Sequence, residues 1–170
     1  MVSTKPIYKN PWISVVEDKV IRPDGKSGIY TVVTLHNGVS VLPMDEEGNV
    51  YLVEQFRYAL DKVSIEAVCG GIKDRETPLE AGKRELMEEA GIEAFEWKEV
   101  GFVDQLTSAV KSHGYLFVAK KLKFHNPNPD GDEKIKMFKT SFEQAMKWVD
   151  EGKITQASTI ILLLKASNKY

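Results

Sequence analysis

Residues 70–92 read GGIKDRETPLEAGKRELMEEAGI, and six of these 23 residues are acidic. Glu85, Glu88 and Glu89 fall within five positions of one another, in a chain whose net charge is only −2. On a helix, like charges at i,i+4 repel by roughly 0.2–0.5 kcal/mol per pair. The flanking residues do define a helix, over Pro78–Ala90. Thr77 suits the N-cap, Pro78 the first helical position, and Glu80 completes a T-x-x-E capping box. Gly91 supplies a left-handed stop. At about 100° per residue, Glu85 and Glu89 share one face, about 40° apart, with Glu88 about 60° from Glu85. Leu79, Leu86 and Ala90 mark the side expected to be buried. Arg84 lies one turn before Glu88 and can brace a carboxylate. The Gly70-Gly71 pair lets backbone approach closely just ahead of the helix and can aim a carbonyl into the same pocket. Spacing alone leaves two readings open: a solvated acidic face, or a site for a hard divalent cation such as Mg²⁺, which takes oxygen ligands and keeps several waters.

Outward from this helix the chain alternates strands and helices. "WISVVEDKVI" and "IYTVVTL", joined by a Pro-Asp-Gly turn, read as a hairpin. "VSVLPM", "VYLVEQFRY", "VSIEAV", "WKEVGFV" and "GYLFVAKKLKF" read as further strands, and "EKIKMFKT" as a weaker one. A second helix is expected from "SFEQAMKWVDEG", where Ser141 is the N-cap and Phe142, Ala145, Met146 and Val149 form one apolar stripe. A third is expected from "ASTIILLLKAS", with Ala157, Ile160, Ile161 and Leu164 in the stripe. Phe56 and Tyr58 flank Arg57 and share a strand face; core burial is the preferred reading for both, with base stacking second. The segment at 125–133, "HNPNPDGDE", is an acidic loop. The expected class is α/β (α+β), a sandwich of helices around a mixed sheet.

Totals bound the function. The chain has 170 residues, 42% hydrophobic and 28% charged, which suits one ordinary domain with a small appendage. With 23 basic against 25 acidic residues and no basic block, no nucleic-acid partner is expected. A single cysteine cannot form an intrachain disulfide. The first residues lack a signal-like apolar core, and the aliphatic run at 160–164 is too short to span a bilayer. A cytoplasmic protein without membrane association is expected. Cys69 paired with His36, His113 or His125 reads as a buried, inert thiol rather than a nucleophile, and His113 as a surface residue.

Gly70, Glu76 and "RELMEEAGI" fill the pattern Gly-x5-Glu-x7-Arg-Glu-aliphatic-x-Glu-Glu-x-Gly-aliphatic, which resembles the Nudix box at all nine fixed positions. "YLVEQFRY", "SIEAVCGGI" and "FEQAMKWVDEGKITQASTIILLL" extend the resemblance to the ADP-ribose and nucleoside-diphosphate-sugar pyrophosphatases of that superfamily. The resemblance implies an α/β/α sandwich and Mg²⁺-dependent hydrolysis of a nucleoside diphosphate sugar (Mn²⁺ substituting), giving a nucleoside monophosphate and a sugar phosphate. It implies a Nudix domain over 42–170 and an N-terminal β segment over 1–41 that forms a homodimer and reaches the partner's substrate site. Residue by residue, it implies Glu85 and Glu89 as the main metal ligands, with Glu76 and the Cys69 carbonyl in support. Glu88 and Arg84 belong to the catalytic group, and Arg57, Glu66, Gly70 and Gly71 to the substrate site. Glu133, beside Asp132, is the expected water-activating carboxylate. Relatives often carry "SPG-S-E" in the loop after the box; here the region reads "QLTSAVKSHGYLF", so sugar recognition is expected to differ. A triphosphate or dinucleoside polyphosphate hydrolase is the nearest alternative, and a non-catalytic nucleotide-sugar sensor the next.

Overall fold

Apolar side chains alternate along the central strands, and this alternation sets the layers. The structure, a computed structural model, describes residues 1–126 and 135–167. In chain order the strands are β1 (Ser3–Lys9), β2 (Ile13–Ile21), β3 (Ser27–Leu35), β4 (Gly38–Pro43) and β5 (Asn49–Arg57). A 3-10 turn at Tyr58–Leu60 leads to β6 (Lys62–Glu66), β7 (Val68–Gly71) and α1 (Pro78–Ala90). Then come β8 (Ile92–Asp104), β9 (Val110–Lys111), β10 (His113–Phe124), β11 (Ile135–Ser141), α2 (Phe142–Asp150) and α3 (Ala157–Ser167).

Three sheets result, ordered β1-β2-β3-β9, β7-β4-β10-β8 and β11-β5-β6. The second is mixed: β10 runs parallel to β4, while β7 and β8 are antiparallel to their neighbours. The two strand edges β4 and β5 meet through an antiparallel bridge between Met44 and Val50. Val39, Val41, Tyr51, Val53, Phe117 and Ala119 point to one side and pack with Ala81, Leu86 and Ala90 of α1. Their alternates Leu42, Val50, Leu52, Leu116 and Val118 point to the other side and pack with Ala145 of α2 and Leu162, Leu163 and Ala166 of α3. This is the period-2 alternation of strands buried on both faces. It produces the expected α/β/α sandwich. Truncating one of these fully buried leucines would cost about 2–5 kcal/mol.

Several expectations need correcting. The expected N-terminal hairpin forms from β2 and β3 and is extended: β1 pairs antiparallel to β2, and β9, from outside residues 1–41, joins β3 in parallel. The "VSIEAV" strand breaks at Ala67 into β6 and β7, which belong to different sheets. Leu79 of α1 is 36% exposed, whereas Glu89 is only 9% exposed. On α3 the buried residues are Ser158, Thr159, Leu162, Leu163 and Ala166, and Leu164 is 45% exposed. That helix is apolar nearly all round, so periodicity alone could not choose its inner face. Phe56 and Tyr58 are exposed rather than core, because β5 ends at Arg57 and Phe56 pairs across to exposed Val63. No helix among the described residues is long and apolar enough to cross a membrane.

Candidate active site

α1 starts and stops where its end residues dictate. Thr77 accepts from the Glu80 N–H, the Glu80 carboxylate accepts from the Thr77 N–H at 2.8 Å, and Gly91 closes the helix at φ 62°. Its carboxylates therefore stand at fixed places over β7. α1 can lie close to the central sheet because residue 82 is glycine. A Cβ there would already touch Val41 at 3.3 Å and Trp97 at 3.4 Å.

One cleft of about 710 Å³ runs between the end of β5, β7 and α1. That volume suits a molecule of nucleotide-sugar size. Its acidic wall carries Glu85, Glu88 and Glu89 beside Arg84, with Cys69, Gly70 and Gly71 as the floor. Arg84 is the hub of this wall. It donates to Glu76 from Nε (2.8 Å) and Nη2 (2.9 Å), to Glu85 (2.6 Å) and Glu88 (3.0 Å) from Nη1, and to the Gly71 carbonyl (2.9 Å). The pairing with Glu76, first among its partners, raises the Arg84 pKa further, so the group stays cationic. In return Arg84 holds the Glu76 carboxyl down at about 2. Burial pushes the Glu85 carboxyl up, against the lowering by Arg84. The Glu85 carboxylate packs directly on the Cα of Gly70, in the space a Cβ would fill.

The same cleft is lined by a cationic arm. Arg57 makes a bidentate pair with Glu66, Nε to Oε1 at 3.0 Å and Nη2 to Oε2 at 2.6 Å. Glu66 is 2% exposed and does not border the cleft; Arg57 does. Such a fork fixes the guanidinium plane and leaves its remaining N–H groups for an anion. The Glu66 hydrogen bonds raise the Arg57 pKa. Gln55, two residues earlier on the same strand face, is 7% exposed and borders the same cleft. Sequence reasoning missed it, although the i,i+2 spacing in "EQFR" was the available signal. Pro11, Trp12 and His36 border the mouth from the N-terminal segment of the same chain; the His36 Nε2 lies 2.9 Å from the Pro11 carbonyl oxygen.

The donor set can be tested against a divalent cation. Among the described residues no group of three or more His, Cys, Asp or Glu side chains converges in a metal-holding arrangement, since Arg84 draws the carboxylates of Glu76, Glu85 and Glu88 to itself. The chemistry nonetheless fits a hard cation: three box glutamates line one wall, and desolvation of Glu85 is relieved by positive charge beside it. Glu133 lies outside the described residues. Cys69 is a free thiol pushed up to about 12 by burial, so it stays protonated. His113 is exposed and lies against Asp104, with Nδ1 at 2.6 Å from Oδ1, away from the cleft.

A family model described as the NUDIX domain matches residues 34–161, and one described as the nucleoside diphosphate sugar hydrolase N-terminal domain matches residues 1–33. The chain is 27% identical to the methanol dehydrogenase activator of Bacillus methanolicus, covering 94% of this chain and 88% of that protein. It is 26% identical to the ADP-ribose pyrophosphatase of Bacillus subtilis strain 168, covering 93% and 86%. Against the GDP-mannose pyrophosphatase of Cronobacter sakazakii the identity is 31%, covering 75% and 71%. A crystal structure of an ADP compounds hydrolase superposes with a TM-score of 0.86 at 17% identity, over 98% of this chain and 91% of that one, which shows the shared fold.

Proposed function

The chain belongs to the NUDIX family, and we propose that it hydrolyses the pyrophosphate bond of nucleoside diphosphate sugars such as ADP-ribose, with Mg²⁺ as the metal. One observation carries this reading: the same cleft is lined by an acidic wall of Glu85, Glu88 and Glu89 and by Arg57, which Glu66 holds in a bidentate fork. A diphosphate needs both, cations for its oxygens and carboxylates for the metal that screens them.

Glu85 and Glu89 would hold the metal, with Glu76, Glu88 and the Cys69 carbonyl supporting. Bound there, Mg²⁺ supplies Lewis-acid polarisation of the phosphate and a more acidic water. The chain's own residues do the rest. Arg57, aimed by Glu66, grips a phosphate or sugar oxygen by charge-assisted hydrogen bonds. Arg84 holds the carboxylates of Glu76, Glu85 and Glu88 in position through four hydrogen bonds, and a fifth ties it to the Gly71 carbonyl. Gly70 and Gly71 bring backbone up to the substrate without a side chain between. Glu133, with Glu88 as the second choice, takes a proton from the attacking water.

The N-terminal segment over 1–41 would pair two chains into a homodimer. Ile21 and Ile29 are exposed on one face of β2 and β3, Ile7 and Tyr8 are exposed on β1 and Tyr30 on β3, and exposed apolar side chains of this kind mark interfaces. A cytoplasmic setting fits the lone protonated thiol. The test is a substrate panel with Mg²⁺: ADP-ribose, ADP-glucose, GDP-mannose, UDP-glucose, a dinucleoside polyphosphate and a deoxynucleoside triphosphate, with products identified by mass. Monophosphate and sugar phosphate from a nucleotide sugar are expected. Turnover confined to the triphosphate would overturn the reading.

A further inference from the structure

Ala67 is the point where the chain leaves one sheet for another. β6 ends at Glu66 in the β11-β5-β6 sheet, and β7 begins at Val68 beside β4. At this crossing the Ala67 N–H, in a residue with no exposed surface, has no strand partner. It donates instead to Thr159 Oγ1 at 2.9 Å, 92 residues away on α3. A buried N–H without an acceptor is costly, so this bond selects where the crossing sits.

Thr159 is itself held. It is fully buried, and both its N–H (2.6 Å) and its Oγ1 (2.7 Å) donate to Gln156 Oε1. The hydroxyl thus uses its one hydrogen toward Gln156 and a lone pair toward Ala67. Gln156 Nε2 reaches the Cys69 Sγ at 3.8 Å, and that sulfur lies 3.1 Å from the Ala67 carbonyl oxygen. The start of α3 therefore grips both Ala67 and Cys69. The gripped segment is short and carries both walls of the cleft. Glu66, immediately before, aims Arg57; Gly70 and Gly71, immediately after, seat Glu85 and Arg84.

We propose that Thr159, set by Gln156, is a positioning residue of the active site: its hydroxyl fixes the 66–71 crossing, and with it the separation of the Arg57 arm from the Glu85 wall. This rests on the function proposed above. Neither residue borders the cleft, so neither touches substrate. A displacement of the order of 1 Å in such a frame lowers turnover by up to about 100-fold.

The experiment compares Thr159→Val, Thr159→Ser and Gln156→Leu with the wild type. It reads kcat and KM on the best substrate of the panel, the Mn²⁺ dissociation constant of the protein alone, and amide exchange over 67–71. Expected for Thr159→Val are a kcat lower by about 10- to 100-fold with KM changed little, Mn²⁺ binding weaker by roughly 10-fold, and faster exchange confined to the crossing. Thr159→Ser restores all three. Gln156→Leu, at a half-exposed position, shows the same pattern more weakly and serves if Thr159→Val does not fold. Wild-type kcat and Mn²⁺ affinity in a folded Thr159→Val with only a lower Tm would overturn the proposal. If the wild type hydrolyses nothing in the panel, the proposed function fails, and the positioning role is decided by the Mn²⁺ and exchange ratios.

Discussion

The carboxylate of Glu85 occupies the space that any side chain on Gly70 would need: a Cβ added there would fall on Glu85 Cδ and Oε1. The atoms in the way belong to a side chain, so Gly70→Ala displaces Glu85 more readily than it unfolds the protein. We expect a loss of stability of about 1–3 kcal/mol from overpacking together with near-complete loss of turnover. Thermal melts and steady-state rates check this; normal activity with a displaced Glu85 would remove that residue from the metal site.

Glu89 is 9% exposed and sits on the side of α1 that faces the sheet. Glu89→Gln keeps the shape and removes the charge. We expect a folded protein with turnover reduced on the order of 100-fold or more at saturating Mg²⁺, and weaker Mn²⁺ binding by calorimetry. A variant with wild-type rates would contradict the metal assignment.

Arg57 and Glu66 act as a unit. Arg57→Lys keeps the charge but cannot form the fork. Hydrogen bonds to charged groups contribute about 1.5–3 kcal/mol, so kcat/KM should fall roughly 10- to 150-fold. Glu66→Gln should produce much of the same loss although Glu66 does not border the cleft. A double variant no worse than Arg57→Lys alone would show the shared role.

Glu76 links the acidic wall to acid stability. Arg84 lowers its carboxyl from an ordinary 4.5 to about 2 in the folded state. A lowered acid binds fewer protons folded than unfolded, so its contribution is complete above about pH 4.5 and is lost as pH falls toward 2. Glu76→Gln should therefore be less stable than the wild type by roughly 1–3 kcal/mol at neutral pH. The gap should close in acid. Urea titrations at several pH values measure it; a gap independent of pH would mean that the ion pair contributes little.

The exposed apolar strands of the N-terminal sheet give a prediction about assembly. Ile29 is 66% exposed on β3, in the segment proposed to pair two chains. Sedimentation should show a dimer for the wild type and a monomer for Ile29→Glu, since an unpaired charge in an apolar interface is strongly unfavourable. A monomeric wild type would end the dimer proposal.

What residues dictate over a few positions was legible in the sequence. Thr77, Pro78, Glu80 and Gly91 delimit α1 through bonds that close within one helical turn, and period-2 alternation in β4, β5 and β10 implied a sheet covered on both faces. The spacing of Glu76, Arg84, Glu85 and Glu88 likewise implied one acidic cluster, because those residues share a helix and its lead-in. Only tertiary packing decided the rest. Small residues at 81 and 82 let α1 settle on the sheet and turned Glu89 inward. Glu66 became a buried anchor, and the start of α3 met Ala67 across 92 residues. Contacts over such distances follow from which faces can be buried together, a property of the assembled layers that no local pattern of residues encodes.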